Sequence, residues 1–214
     1  VYKRQTIDTA DGKNRFLQVF SNNMSSRSTP KISKSSQAFT EISYVPDLAR
    51  FEINEINDSH WKMMRKRVID IAAANPGLKL EFCGEKYKFK TFKEYVDLYT
   101  QNSIWERSND WEIAFGVSKD GFQSVSFVNS IGTKDGGTHE NYILNQVIEG
   151  LRGLIKKKHK VEVKPSEIRN HVFLFINSTI INPAFSSQTK EKLITEPKDF
   201  GTAHQVSEKF IKAV

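Results

Sequence analysis

From Thr138 to Lys160 the apolar residues Leu144, Val147, Ile148, Leu151, Leu154 and Ile155 recur at three- and four-residue spacing, which predicts one long helix with a single buried face. A helix of that length needs a broad apolar partner, and the runs on either side of it supply one. Trp111, Ile113, Phe115 and Val117 alternate with Glu112, Ala114 and Gly116. The turn Lys119-Asp120-Gly121 follows and Phe122 to Val128 returns, a pattern that reads as a β-hairpin. His171 to Ser178 reads as an inner strand. Strands alternating with helices predict a mixed α/β (α+β) fold in which helices cover a sheet, although pattern alone leaves the strand order open.

Upstream, Tyr2 to Ile7 and Arg15 to Phe20 read as strands joined by a turn at Ala10-Asp11-Gly12-Lys13. Asn22 to Gln37, rich in Ser, Asn and Lys, reads as a loop, and Phe39 to Val45 as a strand ended by Pro46-Asp47. Ser59 to Ala74 changes period: Trp61, Met64, Val68, Ile71 and Ala72 share a helical face, while Lys62, Arg65, Lys66 and Asp70 fall off it. Asp58 or Ser59 is the expected cap and Asn75-Pro76-Gly77 the stop. Leu78 to Phe82 and Lys86 to Phe89 form a second expected hairpin, and Thr91 caps a short helix bearing Phe92, Tyr95, Val96 and Tyr99. Gln101 to Asp110 is polar and reads as an irregular connection. Gln205 to Val214 reads as a helix with Val206, Phe210 and Ile211 facing inward.

With 214 residues the chain is long enough for one large domain, or for one domain and part of another. Its only cysteine, Cys83, excludes an internal disulfide and a Cys-rich zinc site, so a reducing compartment is expected. No run approaches membrane-spanning length, and no signal peptide is visible. The start on Val1 rather than Met, in what already reads as a strand, suggests a fragment. A net charge of +7 suits a polyanionic partner.

Two stretches carry candidate chemistry. The first is Asn182 to Lys190, where a Pro-broken, Ser-rich loop leaves an apolar strand and ends in Gln188, Thr189 and Lys190. An amide, a hydroxyl and an ammonium suit a phosphate, but on the residues alone an ordinary solvated turn is the stronger reading. The second is Lys156-Lys157-Lys158-His159-Lys160 at the end of the long helix. Lysines there complement the helix dipole, and three in a row, with Lys164 beyond, exceed what that requires and leave polyanion binding open. Gly136-Gly137 reads as a tight strand-to-helix turn and only weakly as a phosphate cradle. The five histidines show no metal-ligand spacing, and no Ser-His-Asp or Cys-His arrangement can be argued from sequence.

With these motifs in place, the sequence resembles the ATPase region of eukaryotic-type DNA topoisomerase II. The resemblance is carried by FVNSIGTKDGGTHENYI (Phe127 to Ile143), the lysine run, INPAFSSQTKEKL (Ile181 to Leu193) and SEKFIKA (Ser207 to Ala213). NNMS, VPDLARF and FKEYVDLY follow the family's order upstream. It implies that residues 1–76 are the end of a nucleotide-binding domain of the gyrase and mismatch-repair type. Residues 77–214 would be a transducer domain, whose family fold includes a left-handed βαβ crossover where general rules favour the right-handed one.

By the same resemblance, Gln188, Thr189 and Lys190 match a loop that reaches from the transducer into the ATP pocket, with Lys190 at the terminal phosphate as the catalytic contact. Lys156, Lys157 and Lys158 match a DNA-contacting loop, interrupted here by His159. ATP and Mg2+ are the implied cofactors, held mainly by residues outside this stretch, and no metal ligand is expected within it. Double-stranded DNA and a second copy in a homodimer are the implied partners. The implied location is nuclear, or cytoplasmic for a viral source, with no membrane role. The family's adenine- and magnesium-binding motifs and its DNA-cleaving tyrosine have no match here, so this stretch alone is expected neither to hydrolyse ATP nor to cut DNA. The segment between Tyr99 and Trp111 is shorter than in most relatives. A non-catalytic nucleic-acid-binding domain of similar fold and a mismatch-repair-type ATPase are the alternatives; GGTH together with INPAFSSQTK favours the topoisomerase.

Overall fold

The structure, a computed structural model, describes residues 2–214. By packing, the chain divides into two compact units between Trp61 and Lys62.

In the first unit, β1 (Tyr2–Asp11) pairs antiparallel with both β2 (Asn14–Ser21) and β5 (Ala38–Pro46), while β3 (Ser26–Arg27) and β4 (Lys31–Lys34) pair with β2. Asp11 closes the first turn by accepting from the N–H groups of Lys13 and Asn14 at 2.8 and 2.7 Å. Across β1 and β2 the Arg15 guanidinium donates to Asp8 and holds its carboxyl below the usual value. Asn22 to Gln37 is therefore not all loop. Its two short strands are exposed on both faces, so they bury nothing and show no alternation to read.

The division falls inside α1 (Asp58–Ala74), upstream of the boundary at 76 and 77 expected from sequence. Asn57, rather than Asp58 or Ser59, caps this helix: its side-chain oxygen accepts from Ser59 N–H at 3.1 Å and His60 N–H at 3.3 Å. The expected buried stripe is also corrected. Trp61 and Met64 are exposed, and burial is confined to the last turns, Asp70, Ala72, Ala73 and Ala74. Asp70 goes inside because the Tyr95 hydroxyl donates to it at 2.8 Å and Lys66 pairs with it at 2.6 Å.

Beyond α1, β6 (Leu80–Phe82) and β7 (Glu85–Tyr87) form the expected hairpin, turning through Cys83 and Gly84 at φ +51° and +86°. Thr91 caps α2 (Phe92–Val96) through Glu94 N–H. Then come β8 (Ile104–Arg107), β9 (Trp111–Val117), β10 (Gln123–Val128), β11 (Ile131–Gly132), α3 (Thr138–His159), α4 (Pro165–Arg169), β12 (Val172–Ser178) and α5 (Glu208–Ala213). β8 corrects the reading of Gln101 to Asp110 as irregular.

The main sheet runs β11-β10-β12-β9-β8. The clearest hairpin of the sequence, β9 with β10, is thus not a hairpin: β12 lies between them, parallel to β10 and antiparallel to β9. A five-residue turn and alternating flanks look the same whether two strands touch or leave room for a third. β10, α3 and β12 together make the βαβ crossover.

Both faces of the sheet are covered. On one, Ile113, Phe115, Val172, Leu174 and Ile176 pack under Ile143, Leu144, Val147 and Ile148 of α3 and Phe210 and Ile211 of α5. On the other, Ala114, Phe127 and Phe175 meet Ala73 and Ala74 of α1 and Phe92, Tyr95 and Val96 of α2. This double cover makes β9 buried from Trp111 to Gly116 and keeps its second face small, since a Cβ on Gly116 would lie 2.8 Å from the Thr100 side chain.

Candidate functional site

After β12 the chain forms a narrow loop with a paired stem. Ser186 N–H donates to Lys192 O and Ile194 N–H to Ala184 O, both at 3.0 Å, and Ala184 N–H donates to the Thr195 hydroxyl at 2.7 Å. Leu193, fully buried, anchors the stem in the core. At the tip Lys190 N–H closes a turn onto Ser187 O at 3.1 Å, and the Ser187 and Thr189 hydroxyls lie 2.8 Å apart. Gln188 and Thr189 are therefore exposed on one turn, which Lys190, half-buried and in the left-handed region at φ +60°, closes.

Lys190 is the chemically open group. Its ammonium stands 5.9 Å from the centre of the Phe185 ring, and among the described residues no carboxylate forms an ion pair with it. The adjacent acid, Glu191, is engaged elsewhere: Lys134 Nζ lies 2.7 Å from its Oε1 and, by hydrogen bonding, holds the carboxyl below its usual value.

The turn before α3 grips this loop. Asp135 N–H donates to Glu191 O at 2.9 Å, Leu193 N–H to Gly136 O at 3.1 Å and Thr138 N–H to Leu193 O at 3.3 Å. Gly137, at φ +148° and ψ −165°, is the cap position of α3, and a Cβ there would lie 2.5 Å from Leu193 O. The glycine pair is thus a strand-to-helix turn that admits a neighbouring backbone. Thr138, the expected cap, instead donates its hydroxyl to Thr195 O at 2.6 Å. Below the turn His139 is fully buried, and desolvation pushes its pKa down to about 3. Glu140 is also buried, which raises its pKa.

The lysine run lies at the opposite end of α3, about 27 Å from Thr138 by helical rise over eighteen residues. Consecutive helix residues point about 100° apart, so the three lysines fan out. Lys156 pairs with Glu162 at 2.6 Å, Lys157 lines a groove with Glu208 and Lys212, and Lys158 lines another with Glu167 and His171. The two candidate groups are not brought together, and the helix joins them.

A third cluster was not legible in sequence. His204 Nε2 lies 2.9 Å from Glu106 Oε1 and its Nδ1 lies 3.1 Å from Ser108 Oγ, while Ser207 Oγ, the cap of α5, also donates to Glu106 at 2.5 Å. Buried and stacked on Trp111, His204 clasps α5 to β8.

The family model described as DNA gyrase B matches residues 77–214, which contain the loop, its bracing turn and the lysine helix. The chain belongs to the DNA gyrase B and topoisomerase II family. Among its curated relatives, DNA topoisomerase 2 of Bombyx mori is 40% identical over 98% of this chain. DNA topoisomerase 2-beta of Homo sapiens is 39% identical over 97%. The chain spans only 15% and 14% of those two relatives. Among solved structures, the ATPase region of Saccharomyces cerevisiae topoisomerase II superposes with a TM-score of 0.91 at 38% identity, over 99% of this chain and 58% of that one. The ATPase and transducer domains of Balamuthia mandrillaris topoisomerase II give 0.92 at 38% identity, over 99% and 57%. The Lys134–Glu191 ion pair beside the loop is what sequence reading missed: the two residues lie 57 positions apart, and nothing in either motif shows that they meet.

Proposed function

We propose that this chain is part of the ATP-operated gate of a type II DNA topoisomerase, an enzyme that in its complete form passes one DNA duplex through another. In this reading residues 1–76 end the nucleotide-binding domain and residues 77–214 form the transducer. Lys190 is the sensor of the terminal phosphate of ATP, with Gln188 and Thr189 beside it as donors. One observation carries the reading: the Lys190 ammonium is left without a carboxylate on a braced loop, because Lys134 takes up its acidic neighbour. A charge-assisted hydrogen bond from Lys190 to a phosphate is worth about 1.5–3 kcal/mol. It exists only while the phosphate is there, so hydrolysis and release switch it off. The same ammonium stabilises charge that develops during phosphoryl transfer.

Lys157 and Lys158, together with Lys156 once it leaves Glu162, contact the phosphates of double-stranded DNA without reading sequence. In this reading ATP and Mg2+ are held mainly by residues outside this stretch. The working unit is a homodimer in the nucleus, or in the cytoplasm for a viral source. No helix among the described residues is long and apolar enough to cross a membrane.

The test is Lys190→Ala in the complete protein, with DNA-stimulated ATP hydrolysis, strand passage and DNA binding measured. Loss of one charge-assisted bond should slow turnover by roughly ten- to a hundredfold and leave DNA binding intact. Unchanged turnover would refute the sensor role.

A further inference from the structure

The turn that grips the Lys190 loop is itself held from below by a buried polar chain. Ser126 on β10 lies 2.7 Å from Glu140 Oε1 and 2.5 Å from Thr133 Oγ1, and Thr133 Oγ1 lies 3.1 Å from His139 Nε2. One proton assignment satisfies all of these contacts. His139 Nε2–H donates to Thr133, Thr133 to Ser126, and Ser126 to the Glu140 carboxylate. It also leaves the buried His139 Nδ1, which has no hydrogen-bond partner among the described residues, as a bare lone pair rather than an orphaned N–H. The other carboxylate oxygen faces the turn: a Cβ built on Gly136 would lie 2.4 Å from Glu140 Oε2, so the carboxylate packs directly on the Gly136 backbone. Gly136 in turn donates to Thr133 O at 2.9 Å and accepts from Leu193, the anchor of the loop.

We propose that Glu140 is a positioning residue for Lys190. Its carboxylate, wedged between Ser126 and the Gly136 backbone, sets the height of the Thr133–Gly137 turn, and with it the stem that carries the Lys190 tip. This rests on the sensor role given to Lys190 above. Glu140 touches no substrate and acts through Gly136 and Leu193. Four features meet at one point: a buried acid, a glycine that it covers, a second glycine whose Cβ site is filled by Leu193, and a hydroxyl pair made by Ser126 of β10 and Thr133 of the turn. A carboxylate serving only as a helix-start residue would stay at the surface, where the α3 dipole favours it without any loss of hydration.

The test uses the complete enzyme with Glu140→Ala, Glu140→Gln, Ser126→Ala, Lys190→Ala and the Glu140→Ala/Lys190→Ala double variant. Glu140→Ala should lower kcat/KM for ATP about tenfold or more, since the Lys190 contact with the terminal phosphate is made on binding and kept during transfer. Amide exchange at Leu193 and Asp135 should accelerate about tenfold or more with the melting temperature of the core unchanged. Glu140→Gln, which fills the same space and still accepts from Ser126, should stay within about threefold of the native rate, and the double variant should be no slower than Lys190→Ala. If Glu140→Ala does not fold, Ser126→Ala carries the same expectation in exchange and rate. Native exchange at Leu193, a Gln variant as impaired as Ala, or additive losses in the double variant would overturn the proposal. If Lys190→Ala leaves turnover unchanged, the sensor reading falls, while the exchange result still decides whether Glu140 positions the loop.

Discussion

Gly137 is the position where one added carbon should do the most damage. Its backbone, at φ +148° and ψ −165°, lies in a region open essentially to glycine alone, where any other residue carries about 1–3 kcal/mol of strain. In Gly137→Ala the new Cβ would also sit 2.5 Å from Leu193 O and 2.7 Å from Leu193 N, atoms of backbone that cannot rotate away. The stem must therefore retreat, taking with it the Leu193-to-Gly136 and Thr138-to-Leu193 hydrogen bonds, each worth about 0.5–1.5 kcal/mol net. The expected destabilisation is about 2–6 kcal/mol, a large share of the roughly 5–15 kcal/mol that holds a domain together. Urea unfolding of the transducer region within the complete protein measures it, alongside ATP turnover. The control is Gly153→Ala on α3, where a Cβ meets open space and better helix propensity should stabilise by about 0.5–1 kcal/mol. A Gly137→Ala variant as stable and active as the parent would refute the close-approach account of the glycine pair.

Two further expectations follow from the charges. His139, with its folded pKa pushed down to about 3, takes up a proton in the unfolded chain below about pH 6.5 but not in the folded one. Its contribution therefore falls as pH drops, by about 1.4 kcal/mol per unit and about 2 kcal/mol by pH 5, and His139→Gln should remove that slope in denaturation measured from pH 7 to pH 5. Glu140, raised by burial, works in the opposite direction in both proteins; identical slopes would contradict the assignment. At the other end of α3, Lys156→Ala removes one phosphate contact, so the dependence of log DNA affinity on log salt should flatten by about 0.9. An unchanged slope in a salt titration would mean that Lys156 does not reach DNA.

Most elements were legible because most bury one face at a regular period. α3 announced itself through Leu144, Val147 and Ile148, α5 through Val206, Phe210 and Ile211, and α2 through Thr91 and its aromatic face. What period could not reveal was pairing. Nothing in Trp111 to Val128 records that β12 will separate the two strands, and nothing in the exposed β3 and β4, or in the four residues of β8, announces a strand. Asp70 misled because a charge normally marks the solvent side, and only the distant Tyr95 makes its burial tolerable. At the candidate site the residue types of Gln188, Thr189 and Lys190 could be read, but not what leaves Lys190 unneutralised. That depends on Lys134, a long-range partner that only folding brings to Glu191.

The insertion of β12 between β9 and β10 also bears on how the chain is assembled. β9 and β10 are finished by Val128, yet they have to wait, two strand spacings or about 9.6 Å apart, for a segment that begins at Val172. Until then each presents an unpaired edge toward the other, and the pairings that close the gap span tens of residues, which makes this a late and slow step in folding. The strand that completes the sheet is also the one that leads directly into the Lys190 loop. A chain in which that step has failed therefore exposes sticky strand edges and cannot present a working Lys190 loop, so folding of the sheet acts as a quality check on that loop.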